Sequence, residues 1–96
     1  MHVVVNHLHF RDPVTDTTVE AMCDGLKLVI DAGGIAARVV EVDDRHLILL
    51  LDFRSAEDAD RAAREAGGPW MREHIVPLLS GGTERSLGEV IASAPA

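Results

Sequence analysis

Ile35-Ala36-Ala37-Arg38-Val39-Val40-Glu41-Val42-Asp43-Asp44-Arg45-His46-Leu47-Ile48-Leu49-Leu50-Leu51-Asp52-Phe53 lies near the middle of a chain of 96 residues. Residues 35–42 read as a strand, 43–45 as a polar tight turn and 47–53 as a returning strand, so the segment is a β-hairpin. Its second arm is apolar on both sides. Leu47, Leu49, Leu51 and Phe53 fall on one face, Ile48 and Leu50 on the other. Any sheet built on this hairpin therefore has two greasy faces.

Upstream, residues 2–10 alternate: Val3, Val5, His7 and His9 point one way, Val4, Asn6, Leu8 and Phe10 the other. Arg11-Asp12-Pro13 ends that strand. A helix follows, with a capping box in the form Thr17-x-x-Glu20 and a stripe of Val19, Met22, Cys23, Leu26, Val29 and Ile30. Gly33-Gly34 supplies its stop. Downstream, Ser55 caps a helix whose first turn carries Glu57 and Asp58. That helix buries Ala59, Ala62, Ala63 and Ala66 and stops at Gly67-Gly68. Pro69 then opens a further helix over 69–79, ended by Gly81-Gly82. Residues 85–91 read as the last strand and 93–96 as a loose tail.

The order is β-α-β-β-α-β with the second helix broken in two, which is the split βαβ or ferredoxin-like arrangement. This predicts an α+β fold in one domain spanning 1–92, a four-stranded antiparallel sheet with helices on one face. The other face is left bare and apolar, and a patch of that kind is rare on monomers. It predicts a two-fold homodimer through the sheet face. Even a few hundred Å² of aliphatic surface is a strong drive at roughly 25 cal/mol per Å².

The chain is 47% hydrophobic but 3% aromatic, so Val, Leu, Ile and Ala must build its core. A net charge of −7 and scattered Lys and Arg argue against nucleic acid or an anionic membrane as partner. No segment approaches the roughly 18 consecutive apolar residues of a bilayer span, and no signal-peptide pattern is seen. A cytoplasmic location is expected. Cys23, the single cysteine, is expected to be a small buried hydrophobe.

Three groups of residues bring the chain into register with a known family. They are Val3-Val4-Val5-Asn6, the run Asp52-Phe53-Arg54-Ser55-x-Glu57-x-Ala59, and Gly68-Pro69-x-x-x-x-His74. In that order they resemble the dimeric α/β-barrel superfamily, in particular the antibiotic biosynthesis monooxygenase group, over nearly the whole chain. The resemblance implies two ferredoxin-like subunits packed sheet to sheet, each with a pocket between sheet and helices. Members include cofactor-free oxidases of aromatic polyketides and haem-degrading monooxygenases. The haem-degrading branch needs a first-strand asparagine, matched by Asn6, and an iron-ligating histidine, matched by His74. Its tryptophan falls near Ala62 or Ala63, where this chain departs from the pattern.

The residues themselves point to the same region. Trp70 and His74 are four apart on one helix and so share a face. Together with Met71 and Phe10 they can wall a pocket for a flat apolar ligand; alternatively, Trp70 is core and His74 a satisfied histidine. Asn6 interrupts an apolar strand face, and a buried amide needs partners, either as a structural fastener or as a donor to substrate. His7 and His9 share a face, with His46 or Glu41 as a third ligand for a metal, but two imidazoles are too few and no metal is expected. Arg85 is a candidate for an anionic substrate. The expectation is a cofactor-independent monooxygenase of a small aromatic, polyketide-like substrate, with Asn6 and His74 catalytic and Phe10, Trp70 and Met71 binding. The alternatives are a non-catalytic dimer that holds haem or another small hydrophobic ligand, and a closed dimerisation unit.

Overall fold

A computed structural model describes residues 1–95. The chain runs β1 (His2–His9), α1 (Asp16–Asp31), β2 (Ala36–Asp43), β3 (His46–Phe53), α2 (Ala56–Ala62), α3 (Gly68–His74) and β4 (Glu84–Glu89). The four strands form one antiparallel sheet in the order β2-β3-β1-β4. This is the ferredoxin-like sheet expected from the sequence. Residues 93–95 carry no helix or strand, and Ala96, the end of the expected tail, lies outside the described residues.

Strand alternation sorts the side chains. Val4, Asn6 and Leu8 of β1 and Leu47, Leu49 and Phe53 of β3 are buried on the helix side. Val3, Val5, His7, Ile48 and Leu50 are half-buried on the opposite side, which no helix of the described residues covers. The core falls into two clusters, one around Leu8, Met22, Leu49 and Ile75, the other around Val4, Val29, Phe53 and Ala62.

Several local expectations are corrected. The cap of α1 is Thr15, whose hydroxyl accepts from the Thr18 N–H at 3.2 Å, not Thr17. Met22, Gly25 and Val29 are the buried residues of α1. Val19, Ile30 and Cys23 are exposed. The contact line of the helix is narrower than its apolar stripe, so the stripe's margins face water and Cys23 is not core. The last strand ends at Glu89, and Ile91 is 93% exposed.

The helical segment does not stop at Gly67-Gly68. Residues 63–67 form a π turn, with Gly67 and Gly68 both right-handed helical, and the chain runs on into α3. Pro69 has no N–H and its ring crowds the preceding turn, which an ordinary α-helix does not accept. The wider turn, in which the Gly68 N–H donates to the Ala63 carbonyl, absorbs the misfit. Gly68 is required there, since a Cβ would lie 2.5 Å from that carbonyl oxygen. Pro77 then ends α3 early, and residues 76–78 form a 3-10 turn in place of the last part of the expected helix.

Gly25 sits in the middle of α1 for a packing reason. A Cβ there would come within 2.6 Å of the Trp70 indole, which lies directly against the helix backbone. Gly25→Ala gains roughly 1 kcal/mol of helix propensity and loses about 1–3 kcal/mol to overpacking. The expected outcome is a Tm lowered by about 4–8 °C, together with a red-shifted emission from Trp70, the only tryptophan. A raised Tm with unchanged emission would contradict the close Trp70–Gly25 contact.

Candidate functional site

Between the sheet and the helices lies a cavity of about 250 Å³. Its sheet wall carries Val4, Asn6, Leu49, Leu51, Phe53 and Arg85, and its helix wall Met22, Leu26, Ala62, Ala63, Trp70 and Met71. Small residues make the space: Ala59, Ala62, Ala63 and Gly67 present little more than backbone to it. The alanines at the place where the haem-degrading branch has tryptophan thus border an open volume.

Asn6 is brought there by alternation on β1 and is only 7% exposed. Its Oδ1 is buried and has no hydrogen-bond partner among the described residues. It is an acceptor that a water or a ligand donor in the cavity satisfies, and leaving it unpaired costs about 1–3 kcal/mol. In the sheet register Asn6 lies opposite Leu49 on β3 and Arg85 on β4. Arg85 is an exposed residue of an edge strand that also lines the cavity, as does Arg72 of α3. Two arginines at exposed positions thus line a chamber whose other walls are apolar apart from Asn6 and Thr83. Among the described residues neither makes an ion pair, so both positive charges are free to meet a ligand.

Of the expected site residues, Asn6, Trp70 and Met71 are brought together. Phe10 and His74 are not. Phe10 is 5% exposed in the core cluster, where it bridges to Leu79, and is not on the cavity wall. His74 is exposed at the end of α3, with its ring centroid 5.8 Å from that of Trp70 and Nε2 3.8 Å from Glu73. The i, i+4 spacing does place the two rings side by side, but the indole faces the cavity and the imidazole faces solvent. Among the described residues no histidine or cysteine lines the cavity, and the chain contains no tyrosine. The residues present therefore do not fit a haem held by an axial imidazole from within this chamber. Arg72 and Gly25 are the site residues that sequence reasoning missed. The signal for Gly25 was a glycine inside a helical pattern, which marks a close approach.

His7, His9 and His46 lie together on the other face of the sheet, away from the cavity. Glu41 does not join them, since its register partner is the buried Leu47 of the helix side.

No helix of the described residues is long and apolar enough to cross a membrane. No family model and no curated protein matches the sequence. Solved structures do match. SnoaB, a cofactor-independent oxygenase from Streptomyces nogalater, superposes with a TM-score of 0.83 at 11% identity, covering 99% of this chain and 97% of that one. A structure of an antibiotic biosynthesis monooxygenase gives 0.80 at 10% identity over 96% of this chain and 100% of that one. A MhuD variant with two manganese protoporphyrin IX molecules bound per active site gives 0.72 at 13% identity, covering both chains fully. At such identities the likeness shows the fold alone: this chain has the ferredoxin-like fold of the antibiotic biosynthesis monooxygenase structures.

Proposed function

We propose that the cavity takes a small, flat, largely apolar molecule with an acidic hydroxyl or enol oxygen, and that the chain acts on it as a cofactor-independent monooxygenase. The observation that carries this reading is the buried, unpartnered Asn6 Oδ1 beside Arg85 in an aliphatic chamber. The neutral ligand's hydroxyl donates to that oxygen on binding; after ionisation the Asn6 amide N–H and the guanidinium groups of Arg85 and Arg72 donate to the ligand's oxyanion. Trp70 and Met71 give the ring system a flat, polarisable wall. The ligand anion, with charge delocalised onto carbon, reduces O₂. A ring methylene becomes a carbonyl with one oxygen atom of O₂, and the second leaves as water with the two methylene hydrogens. The fold shared with a cofactor-independent oxygenase supports this direction.

With no histidine on the cavity wall, the substrate's proton passes to water at the open side. His74 is then a neighbour of Trp70 and not the base. The same absence of an internal base favours a second reading, a binding protein for this ligand class without turnover.

Oxygen uptake with an anthrone-type substrate, beside quenching of Trp70 fluorescence under anaerobic conditions, separates the two. The expected outcome is saturable quenching and oxygen consumption, with turnover lowered about 100-fold or more by Asn6→Ala or Arg85→Ala. His74→Ala changes it by a few-fold at most. Quenching without oxygen uptake would leave the binding protein, and neither signal would remove both readings.

The uncovered sheet face belongs to the same proposal. Val3, Val5, Ile48 and Leu50 on that face pack against the same face of a second copy, giving a homodimer. Light scattering is expected to give twice the chain mass of 10.4 kDa. Leu50→Lys, at the centre of the face opposite Val5, yields a monomer that still binds the cavity ligand. A wild-type monomer would contradict the sheet-to-sheet packing.

A further inference from the structure

We propose that His7, His9 and His46, with Glu84, form a binding site for a borderline divalent transition cation such as Zn²⁺ on the uncovered face of the sheet. The site is independent of the cavity and of what the cavity binds.

The register builds it. His9 ends β1 directly opposite His46, the first residue of β3, while His7 lies opposite Glu84, the first residue of β4. Three strands thus deliver four donors to one end of the sheet, on the face away from the helices. One ring nitrogen from each histidine falls within 4.8 Å of the others. A tetrahedral ion with bonds near 2.0–2.1 Å needs nitrogens roughly 3.3 Å apart, which small ring rotations supply. His7 Nδ1 and His46 Nε2 are already 2.9 Å apart, and the His9 and His46 rings stack at 4.2 Å. The Glu84 carboxylate stands 3.8 Å from His9 Nε2 and can move in as the fourth ligand.

The surroundings favour an ion as well. Val5 and Ile48 share the face with the cluster, and Asp43 of β2, the register partner of His46, adds a further carboxylate whose Oδ1 accepts from the Arg45 N–H at 2.8 Å. Among the described residues the side-chain polar partners of the three imidazoles are one another and Glu84. In the single chain the His9 side chain is 43% exposed and that of Glu84 69%. Both lie at the strand ends, away from the Val5–Leu50 centre of the proposed dimer face, so a cation reaches them from the sheet's end. Three imidazole nitrogens and one carboxylate oxygen select zinc-like ions over Mg²⁺ and Ca²⁺, which prefer all-oxygen sites. Each imidazole binds through a lone pair, so the hydrogen bond between His7 and His46 is exchanged for two metal bonds.

The test uses the full chain, free of any affinity tag and stripped with a chelator. Co²⁺ titration followed by its d–d absorption, with Zn²⁺ competition and calorimetry, is expected to show one tetrahedral ion per chain. Mg²⁺ and Ca²⁺ do not displace it. His9→Gln and His46→Gln each weaken binding at least about 10-fold, while His74→Gln and His2→Gln leave it unchanged. With Zn²⁺ at 100 times its Kd the wild-type Tm rises by about 10 °C or more, because the ion ties three strands together. Melting of each variant in chelator confirms that it is folded, and His7→Asn replaces any variant that is not. Absence of saturable binding would overturn the site, as would binding that survives both His9→Gln and His46→Gln. Half an ion per chain with a metal-dependent dimer would overturn a site built within one chain.

Discussion

The antiparallel register of β1 against β3 governs both faces of the molecule. With Asn6 opposite Leu49 and His9 opposite His46, the even positions of β1 enter the helix side and the odd positions the uncovered side. Side chains on a strand alternate with period two, so a slip of one residue would exchange the two sets. Asn6 would then face water, and His7 and His9 would be forced beneath the helices. The burial of Val4, Leu8, Leu47 and Phe53 holds the register in place, each side chain contributing about 1.5–3 kcal/mol against its exposed state. The candidate chemistry on both faces thus depends on aliphatic packing that takes no part in it.

On the helix side the cavity exists because packing is deliberately incomplete. A helix that presents Ala59, Ala62 and Ala63 can approach the sheet only as closely as its neighbours permit. The indole of Trp70 acts as one such spacer against α1. It lies across Gly25, and Gly25 in turn permits the contact at the expense of local helix propensity. The π turn at 63–67 sets where Trp70 arrives, since Pro69 forbids a regular helix and Gly68 alone accepts the close carbonyl. Cavity, π turn and glycine are one arrangement in three parts.

How far the sequence spoke depended on whether a feature was periodic or local. Alternation in residues 2–10 and the two-faced apolar run at 47–53 were sufficient for the sheet and its topology, because period and turn chemistry leave few alternatives. Asn6 was legible as a polar break in an apolar face. Where single-residue competition decided, the reading failed: Thr15 outcompeted Thr17 as the cap, and Gly67-Gly68 was a π turn and not a stop. Cys23 and His74 share a cause of error. Each lies at a spacing that suggests an inward face, but the contact line of a helix is set by what packs against it, and periodicity does not contain that. The histidine cluster was half visible, since His7 and His9 are neighbours by alternation, whereas His46 joins them only through the strand register. Arg72 had no sequence signal of its own.

The charge distribution adds a constraint on what the cavity can select. A chain of net charge −7 repels anions at a distance, yet the charged residues lining the cavity are Arg72 and Arg85. At physiological ionic strength the field of remote carboxylates decays over about 8 Å, so within the mouth the two guanidiniums dominate. On the proposed function, a weak acid that arrives neutral meets no long-range repulsion and ionises once its oxygen is within reach of the two guanidiniums. That order of events suits a weak acid whose pKa the site lowers on binding, and it disfavours a carboxylate or phosphate ester that is charged throughout. On that reading a cavity with no histidine on its wall is still able to hold a reactive anion. In the proposed reaction the guanidiniums lower the free energy of the ionised form, with water at the open side as the proton's acceptor.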